Sequence, residues 1–218
     1  MVEEYVLLHW FVYLFIIYHF SITKILTIPK TITMDERTHY NELYSVTEEY
    51  KKDPKDSRYF QLWQNIVDMV SDHERIIDIG CGPGHLARLL LLNNKSFDKG
   101  IDFSDVAIDM AKKMNKEHAH KFEVEDIYEL RFYLVYKPTF TCTEVLEHLD
   151  YDLHVIDIIP KSSRFIFSVP NYKGKTHKRT YPSIEFITER YPALTFKSIT
   201  PIPMGGRRII FLCDTVKK

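Results

Sequence analysis

The stretch RIIDIGCGPGHLARLL, residues 75–90, holds three of the chain's seven glycines, Gly80, Gly82 and Gly84. A short β-branched run precedes them and a leucine-rich run at helical spacing follows, so they occupy a strand-to-helix turn. Glycine there lets the backbone turn tightly and lets a ligand come to contact distance. The dinucleotide fingerprint would need glycine at position 85, where this chain has His85. Asp78, at the strand end, would repel a pyrophosphate and suits a cationic or amino-acid-bearing ligand. Further acids close the next two strands. Asp102 follows Gly80 by 22 residues, a position from which a carboxylate can hold both hydroxyls of a ribose. Asp126, in VEDI, can accept from an adenine amino group while the Ile127 backbone meets the ring edge.

A second group of reactive side chains lies in the later half. CTEVLEHL carries Glu144, Glu147 and His148, and on a helix the first and last would share a face. His148 is expected just past the fourth strand and His177 in the loop after the fifth, so either imidazole can serve as a proton acceptor. No acid occurs between residues 158 and 184, whereas Lys161, Arg164, Lys173, Lys175, Lys178 and Arg179 do. Such a run is either a solvated face or a recognition loop for an anion.

The elements that must position these residues alternate. THYNELYSVTEEY, RYFQLWQNIVDMV, HLARLLLLNN, SDVAIDMAKKMN, DYDLHVIDII and YPSIEFITERY read as helices, with Ser104 as an N-cap and Pro182 near a first turn. RIIDI, FDKGID, HKFEV, KPTFTC and SRFIFSVP read as strands, and ALTFKSIT and RRIIFLCDTV as a closing antiparallel pair around PIPMGG. The fold class is α/β: a doubly wound, mostly parallel sheet with helices on both faces, which binds ligands beyond the strand carboxyl ends.

Taken together, DIGCGPG, GIDFS, VEDI, TEVLEHL and FSVPN resemble the class I S-adenosylmethionine-dependent methyltransferases, over residues 57–218. The chain departs from their pattern at the fourth strand, where Lys137-Pro138 stands in place of a frequent Phe-Asp. The resemblance implies a seven-stranded sheet and the cofactor S-adenosylmethionine, held by Asp78, Gly80, Cys81, Gly82, Gly84, Asp102, Phe103, Asp126, Ile127 and Cys142. It also implies methyl transfer to a small acceptor, most readily on oxygen, with His148 or His177 as the base, and the basic loop would suit an anionic one. In ubiquinone-pathway and small-RNA O-methyltransferases the E-x-x-E-H spelling can hold magnesium, here through Glu144, Glu147 and His148. Other relatives with the same spelling bind no metal, and none is assigned. An RNA methyltransferase using loop 171–181 and a non-catalytic cofactor-binding subunit are the alternatives.

Composition narrows the partners. A net charge of -1 and a pI near 6.8 give no global attraction to nucleic acid or anionic lipid. Three widely spaced cysteines, Cys81, Cys142 and Cys213, show neither a disulfide framework nor a zinc pattern, which suits a reducing compartment. Residues 5–23 form a run of 19 without a formal charge, about the length that spans a hydrocarbon core. Three readings stand for residues 1–33: a membrane anchor that keeps the rest of the chain on the cytoplasmic face, an extension upstream of a start at Met34, or a buried helix or signal peptide. Residues 34–218 form the methyltransferase-like domain, expected in the cytoplasm.

Overall fold

Short apolar runs become strands and the amphipathic segments between them cover both faces. The computed structural model describes residues 31–132 and 136–218. Its strands are β1 (Ile76–Ile79), β2 (Phe97–Asp102), β3 (Phe122–Val124), β4 (Thr139–Cys142), β5 (Arg164–Pro170), β6 (Leu194–Pro203) and β7 (Ile209–Lys217). They form one seven-stranded sheet in the order β3-β2-β1-β4-β5-β7-β6. Strands β1 to β5 pair in parallel, and β7 runs antiparallel between β5 and β6. The doubly wound sheet and its C-terminal antiparallel pair are as the sequence implies. The helices are α1 (Met34–Val46), α2 (Phe60–Met69), α3 (His85–Leu92), α4 (Asp105–Met114), α5 (Asp152–Ile158) and α6 (Ile184–Arg190).

Period-two alternation divides each central strand between two packed layers, so both faces of the strand are largely apolar. On β5, Phe165, Phe167 and Val169 pack with Val155 and Ile156 of α5 and Ile187 of α6. Ile166, between them, faces the other layer with Leu62 and Ile66 of α2 and Leu86 and Leu90 of α3. Strand β7 divides in the same way, with Phe211 and Cys213 on one side and Ile210 and Leu212 on the other. A strand covered on both faces has no solvated side for a polar group, so Asp78 within the wholly buried β1 demands a partner or a purpose.

Two charged hubs tie the layers. Arg164, at the start of β5, binds Asp214 of β7 through Nε at 2.9 Å and Glu74 through Nη1 at 2.8 Å. It is a structural residue and leaves the run of basic side chains counted from the sequence. Asp152, at the first turn of α5, takes both Arg190 nitrogens and the Tyr191 hydroxyl.

Some boundaries differ from the sequence reading. The helix expected from THYNELYSVTEEY ends at Val46 and resumes after Thr47 as a 3₁₀ turn, Glu48–Lys51. The strand expected from HKFEV begins only at Phe122, after a 3₁₀ segment. Ser104 caps α4 as expected, its Oγ accepting from the Ala107 N–H at 3.0 Å. The anchor reading of residues 5–23 falls outside the described residues. Among the described residues, no helix is long and apolar enough to cross a membrane.

Candidate functional site

After β3 the chain crosses β1 to lay down β4 on its other side, and this reversal opens a crevice at the strand carboxyl ends. A cavity of about 460 Å³ lies there, lined by Asp78, Gly80, Cys81, Gly82, Asp102, Phe103 and Ile127. Its size suits a nucleoside-bearing ligand.

All three loop glycines have positive φ, at 69°, 51° and 79° for Gly80, Gly82 and Gly84. What crowds two of them is the protein itself. A Cβ on Gly80 would lie 2.3 Å from Val145 Cγ2, and one on Gly84 would lie 2.8 Å from Asn115 Nδ2. Gly84 thus serves the packing of α3 against α4, and it is not among the residues that line the cavity. Gly82 donates its N–H to Asp102 Oδ2 at 3.0 Å, and the Ser104 N–H binds Oδ1 at 2.9 Å. The carboxylate that closes β2 therefore also shapes the glycine turn. Burial pushes Asp102 up to about 6, against the pull of those N–H groups. Burial likewise pushes Asp78 up to about 7, although Thr141 donates to it at 2.7 Å. Two acids that resist ionisation in one crevice mark a site that favours a cationic ligand.

Asp126 and Cys142 are placed elsewhere. Asp126 accepts from the Ile32 N–H at 2.6 Å and the Tyr128 N–H at 2.9 Å. Its carboxylate pins the chain before α1 to the loop after β3, and it is Glu125 that reaches the cavity wall. Cys142 is fully buried in β4, within the core.

The other end of the cavity gathers Glu144, His148 and His177. Glu144 is not helical: its φ is 56°, and the E-x-x-E-H run turns into a 3₁₀ segment only at Leu146–His148. Ser168 of β5 holds Glu144 twice, accepting from its N–H at 2.9 Å and donating to its Oε1 at 3.0 Å. Glu144 and His148 consequently share no helical face, contrary to the reading from their spacing. One donor atom from each of Glu147, His148 and His177 lies within 4.8 Å of the others. Burial, then the neighbouring His177, pulls His148 down to about 4. Burial also lowers His177.

The basic loop divides. Lys173 and Lys175 line the cavity. Lys178 pairs with Asp150 at 3.5 Å, and Arg179 pairs with Asp152 at 3.3 Å. Arg179 also donates to the carbonyls of Leu146, Leu149 and Asp150. It fastens the loop to the turn that carries Glu147 and His148, so it does not serve as an anion receptor.

The sequence places the N-terminal helices at the acceptor pocket but does not single out the tyrosines that cover it. Tyr40 and Tyr44 of α1, with Tyr50, Arg58, Tyr59 and Tyr172, line the same cavity. Tyr40 sits edge-on to both Phe103 and His148. The spacing of Tyr40 and Tyr44, one helical turn apart, was the available signal.

Residues 70–162 match the family model of a methyltransferase domain. The ubiquinone biosynthesis O-methyltransferase of Neisseria meningitidis serogroup C (strain 053442) is 24% identical over 141 residues, 58% of this chain. The chain thus spans 58% of that relative's length. Among solved structures, magnesium protoporphyrin IX methyltransferase from Synechocystis PCC 6803, with bound S-adenosylmethionine, superposes with a TM-score of 0.64. It is 16% identical, and the match covers 87% of this chain and 100% of that one. The N-methyltransferase NodS of Bradyrhizobium japonicum WM9, with bound S-adenosylhomocysteine, gives 0.64 at 15% identity, over 83% and 98% of the two chains. Residues 70–162 thus match a methyltransferase domain, and the sheet order and glycine turn give the chain the fold of solved S-adenosylmethionine-dependent methyltransferases.

Proposed function

We propose that the protein transfers a methyl group from S-adenosylmethionine to an oxygen of a small acceptor. The observation that carries this reading is one continuous cavity, with Asp102 and the glycine turn at one end and Glu144, His148 and His177 at the other. The residues fit the cofactor. Asp102 and Asp78 offer carboxylates in an apolar enclosure, where a cationic ligand with ribose hydroxyls finds partners. Bound there, the cofactor supplies an electrophilic methyl carbon. The chain's own task is to align the acceptor in line with that carbon and to exclude water. Tyr40 and Tyr44 provide the cover, and Lys173 and Lys175 favour an acceptor with a negative group.

An oxygen acceptor must lose a proton as its bond to carbon forms. His148, held near 4, is a weak base at neutral pH. Glu144 is pushed up to about 7 by burial, against its Ser168 bond, and a base near the working pH transfers protons best. Glu144 is the preferred proton acceptor in this reading and His177 the second.

The test begins with the cofactor product. Calorimetry should show S-adenosylhomocysteine binding to the full chain, weakened by Asp102→Asn by about 1–3 kcal/mol through lost charged hydrogen bonds. Affinity should also fall as pH drops through 7 and 6, the values to which Asp78 and Asp102 are pushed. The ligand's ammonium group and ribose hydroxyls select the ionised forms, and below those values protons must first be displaced. Equal affinity for the variant and the wild type would remove Asp102 from the site. A screen of labelled S-adenosylmethionine against fractionated small molecules, anions first, would then identify the acceptor.

A further inference from the structure

Two arginines at the mouth of the cavity have no carboxylate of their own. Arg58, in the turn before α2, and Arg208, in the turn between β6 and β7, are both exposed and both line the cavity, as Lys173 and Lys175 do. Other arginines use their charge inside the fold: Arg75, Arg164, Arg179 and Arg190 each pair with an acid. Among the described residues, no carboxylate lies within ion-pair distance of Arg58 or Arg208. Glu49, beside Arg58, is already taken. Lys52 holds its Oε2 at 2.7 Å, and the Ser57 hydroxyl and the Arg58 N–H hold its Oε1 at 2.8 and 2.9 Å.

Rings keep both guanidinium groups in place. Arg58 lies 4.8 Å from the Tyr59 centroid and donates to that hydroxyl at 2.9 Å. Arg208 lies 5.7 Å from the centroid of Tyr172. Asn171 fastens its turn to the loop after β5, accepting from the Ile209 N–H at 2.8 Å and donating to the Arg207 carbonyl at 3.1 Å. The pair converges on one region. Burial, then Glu144, pushes the Tyr172 hydroxyl up to about 12, and the charges of both Arg58 and Arg208 act on it in opposition. The Arg58 charge also reaches Glu144, so this region adjoins the proposed base.

We propose that Arg58 and Arg208 bind a phosphate group carried by the methyl acceptor, which makes the substrate a phosphomonoester with a free hydroxyl. The inference rests on the methyl-transfer reading and names the anion it left open. A carboxylate has two oxygens in one plane, which a single guanidinium fork fills. Two guanidinium groups from separate segments, with two lysines on the same cavity, offer donors from more than one side. A phosphomonoester matches that surplus, with three terminal oxygens and close to two charges at neutral pH. Tyr59 and Tyr172 give the body of the acceptor an apolar wall. The phosphate takes no part in bond making. It fixes one end of the acceptor and leaves the hydroxyl beside Glu144.

The test titrates the full chain by calorimetry, with and without saturating S-adenosylhomocysteine, against phenyl phosphate, benzoate and inorganic phosphate at one ionic strength. Phenyl phosphate is expected to bind roughly 10-fold more tightly than either of the others. Arg58→Gln and Arg208→Gln should each weaken it by roughly 10–100-fold, the loss of a charge-assisted hydrogen bond. Both side chains are exposed, so melting curves should match that of the wild type. Arg207→Gln removes a neighbouring charge that does not line the cavity, and it should leave affinity within about two-fold. No measurable binding of phenyl phosphate, equal affinity in the Arg58 and Arg208 variants, or an equal loss in Arg207→Gln would each overturn the proposal. Benzoate bound as tightly as phenyl phosphate would overturn it too, and so would inorganic phosphate, since the site would then take a free ion. Failure of S-adenosylhomocysteine itself to bind would count against the methyl-transfer reading alone.

Discussion

Glu144→Gln is expected to lower kcat by on the order of 10²–10⁴-fold, with S-adenosylhomocysteine affinity unchanged. The amide is close in shape to the carboxyl, can keep the Ser168 contacts at 2.9 and 3.0 Å, and leaves the left-handed backbone at φ 56° undisturbed. What it cannot do is take a proton. In the wild type, kcat should rise with pH through about 7, where Glu144 ionises, since only the carboxylate acts as a base. In the variant that rise should vanish, and the residual rate should recover only where the acceptor ionises unaided. His177→Gln provides the contrast: an equally large loss there, with Glu144→Gln within a few-fold of wild type, would transfer the role to the imidazole. A loss confined to KM would mean that Glu144 binds the acceptor without accepting its proton.

Asp152→Ala is the second large effect, and it acts on stability. The carboxylate is 1% exposed and takes Arg190 through two bonds at 2.5 and 2.7 Å, the Tyr191 hydroxyl at 2.8 Å and Arg179 at 3.3 Å. Tyr181 joins through Tyr191, hydroxyl to hydroxyl at 2.6 Å. Removing the one acid leaves two partly buried guanidinium groups without their counter-charge, a change that costs at most about 3–5 kcal/mol. For a chain of this length that lowers Tm by roughly 6–20 °C. Asp152→Asn, which keeps hydrogen-bond acceptance but not charge, should fall between. A thermal melt within a degree or two of wild type for the alanine variant would show that the hub carries little of the fold.

The sheet was legible because its strands are apolar on both faces and end at turn residues, a pattern that depends on neighbours in sequence alone. Asp102 was legible for a similar reason, as its distance from the glycine turn follows from one strand–helix–strand unit. Asp126 was not. The N–H it binds belongs to Ile32, 94 residues away, and nothing local separates a carboxylate that pins backbone from one that waits for a base. The run from Glu144 to His148 suggested a helix by spacing, yet a glutamate in the left-handed region carries no sequence signature. Loop 171–181 shows the same blindness in charge. Four basic residues look alike in the chain, and only their partners tell them apart. Lys178 and Arg179 find Asp150 and Asp152 across the fold, whereas Lys173 and Lys175 line the cavity, with Lys173 also donating to the His177 carbonyl.

Helix α1 buries none of its residues, although it supplies Tyr40 and Tyr44 to the roof. Polar ties hold it, Asn41 to Asp105 and Ser104, each at 2.6 Å, and the Ile32 N–H to Asp126, beside the ring contacts of Tyr40 and Tyr44. Such links open at a small fraction of the free energy that unfolds a packed sheet. Two timescales therefore coexist, a slow one for the sheet and a fast one for its cover. Amide hydrogen exchange should find residues 34–46 unprotected long before β1 or β5, and full protection of α1 would contradict this. A ligand sealed beneath the helix would then leave at a rate set by how often α1 detaches, so its residence time can change without any change in the contacts that hold it.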